Sequence, residues 1–243
     1  MISNFELMNR ILIVIILIKV ILISDLLAQQ SLKGRFGIGI GYSTGIEFSK
    51  FETLNEKFLR SNEKGLSDNL QINGFTGYFY FLILPDTRIS LNFFQGEKEI
   101  QSSPGRFLRY EQNYWSAGLE YTFSIYRFNV SPGLMIGGVT DYIELIDYDA
   151  SSKFSDILSN FNQSNFSSVS INFENTSFHI SPGICFEYSL SRFVAMRIGY
   201  FYKIRLTKDW KLMRRFPISD FPDEILNNNH FLNFGILIGF MSK

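Results

Sequence analysis

Eight segments of this 243-residue chain alternate apolar with small or polar residues at a period of two, and the gaps joining them are long and short in strict turn. In the first segment Phe36, Ile38, Ile40, Tyr42, Thr44 and Ile46 interleave with Gly37, Gly39, Gly41, Ser43, Gly45 and Glu47. Side chains two apart share one face of a strand, so one face is greasy and the other small and polar. A soluble sandwich turns its greasy face to a core and a membrane barrel turns it to lipid, so the pattern alone leaves both open.

The other segments repeat the pattern. The second runs from Leu70 to Ile83, where an apolar run blurs the phase; Phe75, Phe79, Phe81 and Ile83 are expected to face outward. The third, Arg88 to Glu97, sets Ile89, Leu91 and Phe93 against Ser90 and Asn92. The fourth, Tyr114 to Ile125, sets Trp115, Ala117, Leu119, Tyr121 and Phe123 against Ser116, Gly118, Glu120, Thr122 and Ser124. The fifth and sixth repeat one motif: Phe128, Val130, Ser131, Pro132, Gly133 and Leu134 correspond to Phe178, Ile180, Ser181, Pro182, Gly183 and Ile184. A proline removes a ladder hydrogen bond, so each Ser-Pro-Gly is expected to mark a bulge or bend. The seventh, Phe193 to Leu206, and the eighth, His230 to Phe240, alternate as cleanly, and each segment is long enough to cross a bilayer at a tilt.

Three joints are tight, at Leu84 to Thr87, Tyr126 to Arg127 and Leu190 to Arg192. Four are long, at Ser49 to Asn69, Lys98 to Asn113, Glu144 to Thr176 and Thr207 to Asn229. Bacterial outer-membrane barrels have short periplasmic turns, longer external loops and an even strand number. The expected fold is therefore all-β, an eight-stranded antiparallel up-and-down transmembrane barrel. A lipocalin-type soluble barrel is the alternative, but its interior holds the apolar face.

The N-terminus points to export. Residues 11–23 are apolar apart from Lys19, follow Arg10 and lead to Ala28, the pattern of a secretory signal peptide spanning 1–28. The run is too short for a spanning helix. The barrel is then expected over 29–243, as one domain in the bacterial outer membrane. Lys plus Arg and Asp plus Glu number 23 each, so no global field selects nucleic acid. With two histidines and a single cysteine, Cys185, neither a disulfide within the chain nor a transition-metal centre is expected, and no cofactor is inferred.

The alternation in these strands, the Gly-rich first one and the aromatic-ended Phe234, Ile236, Ile238, Phe240 resemble the small eight-stranded outer-membrane barrels of OmpA and OmpX type. The resemblance covers about Gly34 to Phe240 and is architectural. It implies a structural or interactive role exercised through long external loops. Those loops would meet lipopolysaccharide and a polysaccharide or protein ligand, and the chain would be a monomer. A transport or secretion-associated component is the alternative. Such proteins often end on the aromatic residue, whereas Met241, Ser242 and Lys243 follow Phe240 here.

Three inward acids, Glu47, Glu120 and Glu187, are expected to face three inward bases, Arg197, Lys203 and Arg205. Buried charges persist when paired, and eight strands leave a lumen that side chains can fill, so a plug and no pore is expected. Lys208, Lys211, Arg214 and Arg215 gather positive charge in the last loop, at the level of lipopolysaccharide phosphates. His179-Ile180-Ser181 superficially matches the His-x-Ser element of lipid A deacylases. A proline follows the serine and both side chains face the lumen, so no enzyme is expected. In the first long gap Phe51, Leu54, Phe58 and Leu59 recur at helical spacing, which fits a short amphipathic helix on the rim or a sticky loop.

Overall fold

A computed structural model describes residues 37–59, 63–80, 84–103, 105–147, 169–207, 209–212, 215–218, 221, 225 and 227–241. The signal peptide expected over 1–28, most of the third long gap and the outward placement of Phe81 and Ile83 lie outside the described residues.

The strands in chain order are β1 (Gly37–Glu47), β2 (Leu70–Tyr80), β3 (Thr87–Ser103), β4 (Arg106–Tyr121), β5 (Phe123–Ile125), β6 (Phe128–Asp147), β7 (Val169–Ser189), β8 (Val194–Arg205), β9 (Trp210–Leu212), β10 (Phe216–Ile218) and β11 (Asn229–Met241); helix α1 (Glu52–Phe58) follows β1. β5 prolongs β4 beyond Thr122. The ring closes in the order β1, β2, β3, β4, β6, β7, β8, β11 and back to β1, with Gly37 opposite Met241 at the seam. Every pairing is antiparallel. This is a closed eight-stranded barrel with no free edge in its wall.

The faces sort as the alternation requires. Ile40, Phe75, Phe93, Ile136, Phe178 and Ile238 are exposed on the outside, and Glu47, Arg88, Glu120, His179 and Arg197 are buried within. In water such an exterior would be an apolar patch far beyond what monomers tolerate, whereas in a bilayer it is the solvated face. Phe75 and Phe79 face outward as the chosen phase of the second segment requires.

Two expectations need correction. The gap from Lys98 to Asn113 is not a loop: β3 and β4 continue as a paired hairpin up to Ser103 and Arg106. β6 and β7 likewise run to Asp147 and from Val169, twenty and twenty-one residues against the roughly 9–11 a tilted crossing needs. Alternation continues in these extensions with its sense reversed: Leu108, Tyr110, Ile143 and Phe173 are buried inside, and charged residues such as Glu97, Arg109, Glu111 and Glu174 lie outside, which hid the strands from a search for an outward apolar face. β9 and β10 add a small hairpin beside the upper part of β7, where Glu174 lies opposite Lys211.

The second correction concerns Ser-Pro-Gly. Pro132 lies opposite Ile184, and Leu134 opposite Pro182, within an unbroken β6 to β7 register. The irregularity is on the far side of each proline. Pairing of β6 with β4 stops at Gly133 and resumes with β5 at Val130, while pairing of β7 with β8 skips from Ile180 to Gly183. Both gaps keep their register, so each missing N–H opens a short hole in one ladder without a bulge.

At the tight end Tyr126 (φ 57°) and Asp86 (φ 57°) turn the chain in the left-handed region. Asp tolerates that conformation and Tyr less so. Tyr126 is almost wholly exposed, at the margin where aromatic side chains meet lipid headgroups.

Candidate functional site

The lumen is built from inward positions of all eight wall strands, and its charges fall into two groups at different depths. The first lies near the tight turns. Arg88, one residue into β3, donates through Nε to Glu120 Oε2 at 2.6 Å and through Nη1 to Glu187 Oε2 at 3.0 Å. Arg197 donates to the other oxygen of Glu120 and stands 4.0 Å from Glu187. Glu187 also accepts from Tyr78 Oη (3.2 Å) and Asn129 Nδ2 (3.0 Å), and the Arg88 guanidinium lies 4.2 Å over the Tyr78 ring. Cys185 sits beside Arg197, its Sγ 3.0 Å from Nη2.

The second group lies at the loop end. Lys203 donates to Glu47, and Arg205 donates to Asp141 while standing 3.6 Å from Glu47. Asn229 and Gln112 donate to Glu47 at 3.1 and 3.2 Å, and Tyr110 Oη donates to Asp141 at 2.6 Å. Each group therefore holds two acids and two bases, all almost fully buried, and each is neutral by itself. Mutual pairing and neutral donors offset the large desolvation cost of such charges.

Between the groups is an aromatic and hydroxyl layer. Tyr114 stacks on His179 with ring centroids 4.9 Å apart, and His179 Nδ1 is 2.8 Å from Ser181 Oγ. Thr76, Asn92, Ser116 and Tyr114 continue as a chain of hydrogen bonds of 2.6 to 3.1 Å. The His–Ser contact is thus real, but both residues are buried mid-lumen, and Glu187, the carboxylate such a hydrolase would require, belongs to the arginines of the first group.

Above the second group the mouth is capped. Phe51 and Leu54 at the start of α1 are fully buried, with Phe51 edge-on to Tyr110 at 4.9 Å. They join Leu66, Leu70, Leu108, Ile143, Trp210 and Ile225 in one apolar cluster. Asn55 fixes the returning chain through two bonds to Leu66, from Nδ2 to O (2.8 Å) and from N to Oδ1 (2.9 Å). Lys98 on β3 donates to the carbonyls of Ser67, Asp68 and Asn69. The helix is therefore inside the barrel mouth, not lying on its rim.

Of the six lumen residues expected from sequence, all are buried and all enter these two groups. Sequence reasoning missed Arg88 and Asp141. Arg88 shares the inward parity of Ser90 and Asn92, and Asp141 that of His179's neighbours across β6, so the phase itself was the available signal. Of the loop cations, Lys211 and Arg215 are exposed on the β9–β10 hairpin, and Lys208 and Arg214 lie outside the described residues.

A closed antiparallel ring with an apolar exterior and a charge-paired interior defines a small eight-stranded outer-membrane β-barrel. No protein-family model and no curated protein matches the chain. Among solved structures it is similar to Ail of Yersinia pestis in complex with the heparin analogue sucrose octasulfate, at 14% identity over 86% of this chain and 99% of that one, TM-score 0.43. It is similar also to Neisserial surface protein A (11% identity, 84% and 97% covered, TM-score 0.45) and to OprG of Pseudomonas aeruginosa (15%, 86% and 96%, TM-score 0.42).

Proposed function

We propose that this is an exported, monomeric outer-membrane barrel that conducts no solute and acts as a structural or interaction protein through its exterior. Export would use the signal peptide over 1–28. The observation that carries the reading is the closure of the lumen at three levels: two charge-neutral quartets and the α1 lid above them. A solute path would have to break several buried ion pairs at once, and breaking one leaves an uncompensated charge costing roughly 3–5 kcal/mol. The filled interior leaves the outer surface and the tall hairpins as the places where ligands act. Lipopolysaccharide phosphates at Lys208, Lys211, Arg214 and Arg215 are one such contact, and a polysaccharide or protein ligand at the tips is another.

Planar-bilayer recording of the purified protein tests this directly. We expect no steps above baseline; large, stable steps would establish the transport alternative. Lipid A recovered with an unchanged acyl pattern from cells with and without the protein is the expected result for a barrel without hydrolase activity. Recovery in the soluble periplasmic fraction would overturn the membrane reading altogether.

A further inference from the structure

The outer face of β1 to β7 carries rows set by register, inclined to the membrane plane because barrel strands tilt. Tyr42, Phe75, Phe93, Trp115, Gly138 and Phe178 form one continuous row. The next row toward the loops is Thr44, Asn73, Gln95, Asn113, Thr140 and Thr176, uncharged and hydrogen-bonding throughout. Beyond it Glu97, Glu111, Tyr142 and Glu174 stand in register. Along β3 and β4 the pairs Phe93 and Trp115, Gln95 and Asn113, then Glu97 and Glu111 follow the passage from hydrocarbon to headgroup to water.

A groove of about 850 Å³ lies across the first two rows on β2, β3 and β4. Trp115 shapes it. A Cβ on Gly138 would come within 2.5 Å of Trp115 Nε1 and 3.0 Å of Cε2, so the indole occupies the space over the glycine and stays half exposed at the groove. Gly138 is accordingly buried although its position points to lipid. Directly above, Gln95 and Asn113 donate from their amide nitrogens to Glu111 at 3.3 and 2.9 Å, which leaves their carbonyl oxygens as acceptors for hydroxyl hydrogens.

From this geometry we propose that the groove binds the uncharged sugar headgroup of an outer-leaflet glycolipid. A pyranose ring presents C–H groups on its face and hydroxyls at its edge. The exposed, electron-rich indole of Trp115 suits the first, and the amides of Gln95 and Asn113 suit the second. Phosphate does not fit, because no cation is among the described lining residues and the charges at the groove are acidic: Glu97, bonded to Arg109 at 2.8 Å, and Glu111, which accepts from both amides. The level at which the groove sits selects a lipid-borne sugar over one free in solution, because the acyl chains then lie along Phe75 and Phe93. This inference rests on the membrane placement argued above.

The test uses the full barrel in nanodiscs of phosphatidylcholine doped equally with a diglucosyl diacylglycerol and a phosphatidylglycerol of the same chains. Native mass spectrometry reads the lipids retained. We expect the glycolipid to be retained about tenfold over phosphatidylglycerol, and the preference to vanish in Gln95→Ala/Asn113→Ala and in Trp115→Leu, with phosphatidylglycerol retention unchanged. These outward substitutions leave the lumen untouched, and heat-modifiable migration verifies the fold of each variant. Equal retention of the two lipids by the wild type, or a preference that survives the variants, overturns the proposal. Displacement of the glycolipid by millimolar maltose overturns the lipid source. Failure of the wild type to enter the bilayer is a separate result that removes the membrane reading and the proposal with it.

Discussion

Arg88 and Glu187 stand ninety-nine positions apart in the chain, on strands separated around the ring by β4 and β6, and they meet in the lumen at 3.0 Å. Their contact, with Glu120 as a second acceptor, ties strands that share no backbone hydrogen bond. Arg88→Met therefore leaves two buried carboxylates facing Arg197 alone. The expected cost is about 3–5 kcal/mol, read from the urea midpoint in detergent micelles. Adding Glu187→Gln should recover part of the loss, since it removes the stranded charge. A change below about 1 kcal/mol for Arg88→Met would mean that the pair behaves like a surface contact.

The two charged groups share no partner among the described contacts. Energies of substitutions add when sites are distant and separately satisfied, so Glu120→Gln and Glu47→Gln should combine to within about 0.5 kcal/mol of their sum. Each alone strands a base in the lumen. Marked non-additivity in equilibrium unfolding would show that the Tyr114 and His179 layer couples the groups, contrary to their separate neutrality.

Gly37, Gly39 and Gly45 of β1 make room for aromatic rings from the two neighbouring strands. At Gly39 a Cβ would stand 3.2 Å from the Tyr78 ring, whose hydroxyl bonds Glu187. Gly39→Leu should displace Tyr78 and lower stability by about 1–3 kcal/mol through overpacking. Gly77→Ala on β2 is the comparison, because its outward Cβ has 3.1 Å to the nearest backbone oxygen and no ring beside it. If Gly39→Leu migrates and unfolds like the wild type on urea gels, the ring is not held there.

The wall was legible because each membrane-crossing strand has a stretch in which one face is apolar, as in Phe234, Ile236 and Ile238 against Asn233 and Gly235. Lumen residues followed from phase, and the six expected charges lie where parity places them. Arg88 escaped notice because it is the first inward position after a turn, and Asp141 because β6 continues beyond the apolar stretch. The extensions above the membrane keep the period but reverse it, with Leu108, Tyr110, Ile143 and Phe173 inward while Glu97, Glu99, Arg109 and Glu111 face water, so a search for an outward apolar face stops below them. The lid escaped for another reason. Helical spacing in Phe51, Leu54 and Phe58 specifies a buried face but not which surface covers it.

On the β9–β10 hairpin Lys211 lies opposite Glu174, whereas Arg215 sits in the turn. A cation near an anionic membrane surface contributes about 1 kcal/mol, or roughly fivefold in affinity. Arg215→Glu should therefore reduce co-purifying lipopolysaccharide about fivefold, and Lys211→Met by less, because a wall carboxylate already faces that lysine. Quantified lipopolysaccharide per barrel at fixed salt provides the measurement; no change in either variant removes the phosphate contact from the proposal.

The lid depends on Asn55 more than on helix propensity. A seven-residue helix is marginal alone, and α1 has no side-chain cap at Phe51. Its place is held by the two Asn55 bonds to Leu66, by Asp68 Oδ1 accepting from Phe51 N at 3.2 Å, and by the burial of Phe51 and Leu54. Asn55→Ala removes both bonds to Leu66 and leaves its backbone groups unsatisfied in a partly buried setting, a local cost of about 1–3 kcal/mol. The wall shares none of these bonds. Limited proteolysis of the detergent-solubilised barrel should accordingly cut the segment 49–69 at least about fivefold faster in the variant, at an unchanged temperature of heat-modified migration. Equal cleavage rates would show that the apolar contacts alone hold the lid. A parallel fall in the migration temperature would show that lid and wall unfold as one unit.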